Sequence, residues 1–269
     1  MAKTITSHRN SHVTNAIRLR ERRGRDQQDR IIVDGAREIL RGLKGGIEIV
    51  EVFFCPKLCN DEDAHLAISA LSVTSATILT VSPNVFGRVA YGQRSEGLVG
   101  VAKMPHLQLG DVQLPENPLI LVLEALEKPG NVGAVVRSAD GAGAAAVVIT
   151  NAQTDIYNPN AIRASMGSLF TMPICAASPS ETLEWLRVRN LQIFAARVDG
   201  SVSYSDQDYT EASAIVLGSE ATGLSSVWHD DDIRPIHLPM CGAADSLNVS
   251  AAAAVLLYEA LRQRQTKGS

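Results

Sequence analysis

Three stretches of this 269-residue chain combine small, polar and charged residues in patterns that could do chemistry. They are Glu124-Ala-Leu-Glu-Lys-Pro-Gly-Asn-Val-Gly-Ala-Val-Val-Arg-Ser-Ala-Asp140, Leu217-Gly-Ser-Glu-Ala-Thr-Gly-Leu224 and Leu238-Pro-Met-Cys-Gly-Ala-Ala-Asp-Ser-Leu-Asn-Val-Ser250. In the third, a loop of small residues joins a short apolar strand to a helix, and such a loop lets backbone come close to a ligand. Ser246 and Asn248 stand where that helix should begin, and both are good capping types. A strand, a turn and a capped helix with no ligand fit this stretch equally well. In the first stretch Pro129 and Gly130 break the chain, and Asn131 is expected to cap a helix carrying Val132, Val135 and Val136. Arg137 falls on that helix with Asp140 three residues on, a spacing that also suits a plain surface ion pair. In the second, a strand over Ala214–Gly218 delivers Gly218 and Glu220 to the carboxyl edge of a sheet, where open α/β sheets bind ligands.

Several other chemistries drop out. Gly141-Ala-Gly-Ala-Ala-Ala146 fits G-x-G-x-x-A, but it follows a helix and leads into a strand, the reverse of a dinucleotide site. The sequence has no metal-ligand spacing, no G-x-S-x-G and no phosphate-binding P-loop. The four cysteines, Cys55, Cys59, Cys175 and Cys241, suggest no disulfide framework. Cys55 and Cys59 lack a second pair or a histidine cluster and read as ordinary thiols.

Taken in order, the three stretches resemble the signature motifs of the SpoU/TrmH branch of the SPOUT methyltransferases, over roughly Leu119 to Arg264. The resemblance implies an α/β catalytic domain at 119–269: a parallel sheet flanked by helices, with a trefoil knot. Loops near Ala196, at Gly218, and from Leu238 through Met240 to Leu247 would hold S-adenosylmethionine, largely through backbone contacts. The implied reaction is methylation of an RNA ribose 2′-hydroxyl, and it needs no metal. The matching residues are Asn131, Arg137, Glu220, Ser246 and Asn248. Arg137 would lie near the nucleophile. Asn131 and Glu220 would hold the active-site loops and the substrate side, while Ser246 and Asn248 position Arg137 and the nucleotide. Arg163, in Asn158–Ser168, matches an arginine-serine segment beside the active site. It is a candidate phosphate contact, with a turn-and-helix connector as the other reading. Met240–Asp245 differs in detail from many members, which bears on cofactor geometry. Family members also dimerise through the region of the last helix, so a homodimer is implied.

The elements that must position these residues alternate along the chain. Leu119–Leu123 and Ala144–Thr150 are continuous apolar runs, as in strands buried on both faces. Leu191–Ala196 and Ala214–Gly218 are further strands. Ser178-Pro-Ser-Glu181 is a capping box with proline at the first helical position and starts a helix through Val188. The last helix is expected over Ser246–Arg264, with Val249, Ala253, Leu256 and Ala260 as its apolar stripe. Three prolines in Met104–Pro118 mark a linker, 106–118.

Residues 1–105 form a small alternating α/β unit, with strand-like Ile47–Phe54, a helix over Ala64–Leu71, a strand over Thr77–Val81, then Phe86–Tyr91 and Leu98–Ala102. That order resembles the L30e-like domain preceding the catalytic domain in many ribosomal-RNA members, which implies RNA binding. Residues 1–105 carry 15 Lys and Arg against 11 Asp and Glu, and the remainder 10 against 18. A basic front on an acidic body suggests a polyanion partner. Arg9, Arg18, Arg22, Arg23 and Arg25 lie on a helical segment with too few apolar residues to be buried. Arginine suits bidentate phosphate contact, with a solvated basic face as the alternative. There is no apolar signal-peptide core and no run long enough to span a bilayer, so the cytoplasm is expected. The expected activity is ribose 2′-O-methylation of 23S ribosomal RNA, for housekeeping or for antibiotic self-resistance. A tRNA substrate and an inactive RNA-binding relative are the alternatives. The front unit speaks against the first and the complete residue set against the second.

Overall fold

The computed structural model describes residues 4–91, 96–200, 202–219 and 222–267. The chain forms two α/β units: Met1–Pro105 with Asp155–Thr171, and His106–Thr154 with Met172–Ser269. In the first unit the elements run α1 (Ser11–Arg18), α2 (Arg22–Gln28), β1 (Arg30–Asp34), α3 (Ala36–Lys44), β2 (Ile49–Phe54), α4 (Glu62–Ser72), β3 (Thr77–Thr80), α5 (Pro83–Val89) and β4 (Leu98–Lys103). The sheet order is β1-β4-β2-β3, so the last strand lies inside the sheet, antiparallel to both neighbours. A strand covered on both edges and faces should be apolar throughout, and Leu98, Val99, Val101 and Ala102 are all buried. The Phe86–Tyr91 stretch lies mostly on a helix. Ser82 caps it by accepting from the Val85 N–H, and Pro83 sits in its first turn.

The arginine-rich segment is not a solvated arm. It folds into α1 and α2, whose Val13 and Ala16, with Leu19 just beyond α1, are buried against Phe53, Val85, Phe86 and Val99. Gly24 lets α2 pack closely on the end of α1, since a Cβ there would lie 1.9 Å from the Arg18 carbonyl oxygen. Arg25 corrects the expected set of phosphate contacts. It is 1% exposed, donates to Asp155 at 2.5 Å and to the Leu19 carbonyl at 2.7 Å, and is part of the core. A guanidinium so buried must be paired, and it cannot also grip RNA. The segment 155–171 lies within the stretch expected for the catalytic domain yet packs with the front unit, through Asp155 and through the Met166 carbonyl, which accepts from Arg41 at 2.6 Å.

The second unit contains β5 (Leu119–Glu124), α6 (Pro129–Gly141) and β6 (Ala146–Thr150). After α7 (Pro159–Ala164) of the first unit, it continues with β7 (Ile174–Ala177), α8 (Pro179–Val188), β8 (Gln192–Ala196), β9 (Val202–Ser203), β10 (Ser213–Leu217), β11 (Ile233–His237) and α9 (Val249–Lys267). The seven strands are all parallel, in the order β7-β6-β5-β10-β8-β11-β9. After β8 and β9 the chain enters the middle of the sheet as β10, then returns beyond β8 as β11. Pro235 is tolerated in β11 because β9 pairs only with Ile236 and His237, so no ladder bond is lost on that side.

Two expectations shift. Helix α6 starts at Pro129, so Asn131 is the third residue of its first turn and not the cap. Proline has no N–H to lose there, and its fixed φ opens the helix earlier than the cap residue suggests. The last helix starts at Val249, with Asn248 as its cap. The Pro-rich 106–118 stretch packs with the second unit, where Val112 is buried against Ile120 and Trp185. Ser178 and Glu181 form the expected capping box. Gly141 ends α6 and Ala146 opens β6, the helix-to-strand order that excludes a dinucleotide turn.

Arg264 ties α9 to the entrance of the sheet. It donates to the carbonyls of Asn117 (2.9 Å), Pro118 (3.2 Å), Tyr209 (2.9 Å) and Glu211 (2.7 Å), and to the Ser213 hydroxyl (3.1 Å). Arg264→Ala is expected to destabilise this unit by about 2–3 kcal/mol, since several acceptors lose one charged donor together. The check is a lowered thermal midpoint, with Arg262→Ala, whose exposed guanidinium pairs with Glu259, lowering the midpoint much less.

Candidate active site

Three loops leave the carboxyl ends of β8, β10 and β11 and enclose one cleft of ≈ 690 Å³. That volume falls in the range of about 300–1,000 Å³ of small-molecule sites. The expected cofactor residues come together there. Ala196 stands at the end of β8, Gly218 directly after β10, and Leu238, Met240 and Leu247 on the loop that follows β11. Leu217, Leu224 and Val249 add apolar wall.

The loop after β10 is folded tightly on itself. A Cβ on Gly218 would lie 2.3 Å from the Gly223 carbonyl carbon and 2.7 Å from the Leu224 nitrogen. The Gly223 N–H donates to the Ser219 carbonyl at 3.1 Å, and the Thr222 N–H donates to the Ser219 hydroxyl at 3.1 Å. Gly223 takes φ +67°, which glycine adopts without strain. Glu220 falls between these residues and lies outside the described residues.

Polar groups at the cleft include Arg197 and Asp199, paired through two hydrogen bonds of 2.9 and 2.6 Å. That pairing raises the Arg197 pKa and lowers that of Asp199. His229 and His237 also line the cleft, and the buried Nδ1 of His237 has no hydrogen-bond partner among the described residues. No sequence motif points to the ion pair or to the histidines. Each lies outside the three stretches or at their margin, and only strand order brings them to one edge.

The residues matched to catalysis are less concentrated. Ser246 is on the cleft wall. Asn248 caps α9, its Oδ1 accepting from the Ser250 N–H at 3.0 Å and the Ser250 hydroxyl at 2.6 Å. Asn131 is half-buried at the start of α6, and Arg137 is exposed further along that helix and does not line the cleft. Among the front-unit arginines, Arg9, Arg18, Arg22 and Arg23 are exposed and Arg163 is half-buried on α7. Burial drives the Cys59 and Cys175 thiols up to about 11, so both stay protonated and unreactive near neutrality. Among the described residues no group of three or more His, Cys, Asp or Glu could hold a metal ion, and no helix is long and apolar enough to cross a membrane.

A parallel α/β unit with a small-molecule cleft at its strand ends thus follows a basic α/β unit along the chain. Residues 118–258 match the model of the SpoU rRNA Methylase family, and residues 10–100 that of the MRM3-like substrate binding domain. The chain belongs to the SpoU rRNA methylase family. It is 33% identical over 182 residues to the 23S rRNA (uridine(2479)-2′-O)-methyltransferase of Streptomyces viridochromogenes, covering 64% of this chain and 63% of that relative's own length. It is 25% identical to the 23S rRNA (guanosine(2553)-2′-O)-methyltransferase RlmP of Bacillus subtilis, over 95% of this chain and 98% of that one. The fold is similar to the crystal structure of the SpoU methyltransferase AviRb from Streptomyces viridochromogenes in complex with AdoMet. The TM-score is 0.86 and the identity 27%, with 96% of this chain and 99% of that one covered.

Proposed function

We propose that this chain transfers a methyl group from S-adenosylmethionine to a ribose 2′-hydroxyl of 23S ribosomal RNA. One observation carries the reading: in a chain of this family, the three loops matched to the cofactor enclose a single cleft of small-molecule size. The residues present suit the group. Leu217, Leu224, Leu238 and Leu247 offer apolar surface for an adenine ring, and the glycine-bearing loop offers backbone groups for its edge. When bound, S-adenosylmethionine supplies a methyl group already activated on a sulfonium. The chain's own task is to align the hydroxyl behind that methyl and to hold or accept its proton. In this proposal Arg137 meets the ribose and its phosphate, with Asn131, Ser246, Asn248 and Glu220 positioning the loops around it. The test is to map 2′-O-methyl positions in ribosomal RNA from cells with and without the gene. Loss of one 23S position, restored by the purified protein and S-adenosylmethionine, is the expected result. An unchanged ribosomal map with a lost tRNA methyl group would overturn it.

The front unit is the RNA grip in this reading, and the cytoplasm is where it works. Removing residues 1–30 would expose the core that Val13, Ala16 and Leu19 fill, so point variants are the better probe. Replacing exposed Arg18, Arg22 and Arg23 together with alanine is expected to weaken RNA binding. It should also flatten the dependence of log affinity on log salt by about 0.7–0.9 for each phosphate no longer neutralised. Unchanged affinity and slope would make these arginines a solvated face.

The protein also works as a homodimer in this proposal. The buried side of α9 is filled by Val249, Ala253, Leu256 and Ala260, yet Leu247 (38%), in the loop just before the helix, and Val255 (37%) and Tyr258 (51%), on it, leave an exposed apolar run. Leu247 also lines the cleft, so this run is continuous with the active site. Two-fold self-association is the commonest way to cover such a run. Light scattering at micromolar concentration is expected to give the dimer mass, and Tyr258→Glu to shift it toward the monomer.

A further inference from the structure

Glu124 belongs to none of the matched catalytic or cofactor residues. It ends β5 after five buried apolar residues and is itself 2% exposed. Its Oε2 accepts from the Ser225 N–H at 2.8 Å. Its Oε1 accepts from the Ser225 hydroxyl at 2.8 Å and from the Asn151 side-chain amide at 3.1 Å. Ser225 directly follows the 218–224 loop, which lines the cleft through Gly218, Ser219, Thr222, Gly223 and Leu224. That loop is therefore held at both ends by one strand. Where it begins, Leu217 of β10 lies opposite Leu123 of β5, and where it ends, Ser225 is tied to Glu124, the next residue of β5.

We propose that Glu124 is a positioning residue for the cofactor: it clamps the exit of the 218–224 loop so that this wall of the cleft is formed before the cofactor arrives. The proposal rests on the reading of the cleft as the S-adenosylmethionine site. A buried carboxylate is costly unless hydrogen-bonded, and three convergent donors both satisfy it and fix the direction of the loop. A pre-formed wall removes the cost of ordering the loop on binding. Loss of the clamp should therefore weaken cofactor binding without slowing turnover at saturating cofactor.

The experiment uses the full-length protein and S-adenosylmethionine itself, with affinity from calorimetric titration, a thermal midpoint, and KM and kcat for each variant. Glu124→Ala is expected to raise the cofactor Kd and KM by about tenfold or more and to leave kcat nearly unchanged. Glu124→Gln can keep the clamp, because Ser225 Oγ can accept instead of donate and the Asn151 amide can turn over. It is expected to stay within about threefold of the unaltered protein. A folded Glu124→Ala protein with unchanged cofactor affinity overturns the proposal, and so does a Glu124→Gln protein as weak as Glu124→Ala. If Glu124→Ala does not fold, Ser225→Ala decides. It removes one of the three bonds, so a Kd raised about threefold supports the clamp and an unchanged Kd overturns it. An unaltered protein that binds no S-adenosylmethionine fails the reading of the cleft itself. Normal binding by both the unaltered and the Glu124→Ala proteins fails this inference alone.

Discussion

Arg137→Lys is expected to lose methyl transfer by at least about 100-fold while S-adenosylmethionine affinity stays within about twofold. The two effects separate because Arg137 does not line the cleft. It is exposed on α6, where it can meet RNA. A general-base role for Arg137 would be physically awkward. A guanidinium keeps its proton in nearly every protein setting, whereas an effective base titrates near working pH. In the proposed reaction Arg137 stays charged and clamps the ribose and phosphate while the proton leaves by another route, or it takes part in the proton transfer itself. Both roles need the planar fork that lysine lacks. Single-turnover transfer assays beside equilibrium cofactor binding provide the check, and near-normal turnover removes Arg137 from the mechanism. The pH–rate profile of the unaltered protein then separates the two roles. A rate still climbing at high pH fits a charged clamp, and a plateau near neutrality fits direct proton transfer.

Gly218→Ala is expected to weaken S-adenosylmethionine binding by about 30-fold or more, equivalent to about 2 kcal/mol. The cause is space, because the added Cβ would lie 2.3 Å from the carbonyl carbon of Gly223. That neighbour is backbone and cannot swing aside, so the 218–224 loop must open. Gly223 offers the contrast. It sits at φ +67° with nothing within 4 Å of a built Cβ, so its requirement is conformational. Gly223→Asn, a residue that tolerates the left-handed region, is expected to bind cofactor nearly normally. Equal losses in the two variants would show that the loop needs glycine for flexibility and not for close approach.

Much of this protein was legible in its sequence because the relevant signals are local. Continuous apolar runs mark the strands of a sheet covered on both faces, and Leu119–Glu124, Ala146–Thr150 and Ser213–Leu217 are such strands. The capping box at Ser178 and Glu181 is a four-residue signal and forms as read. The loops that the family resemblance matches to the cofactor, near Ala196, at Gly218 and from Leu238, each follow a strand, and because strand ends of a parallel sheet gather on one edge they line one cleft.

What only the tertiary structure decided depends on partners far apart in sequence. Arg25 looks like its exposed neighbours Arg22 and Arg23, but it is buried because Asp155, 130 residues away, pairs with it. No spacing rule carries that information. The strand order is equally hidden: β10 enters the middle of the sheet and β11 returns beyond β8, which no periodicity encodes. Only that order brings Arg197, Asp199, His229 and His237 to the cleft. Glu124 left one faint trace, a carboxylate closing an otherwise apolar strand. Its meaning appeared only when Ser225, 101 residues later, folded back onto it. Local free energies set which elements form, and long-range pairing sets what each polar residue is for.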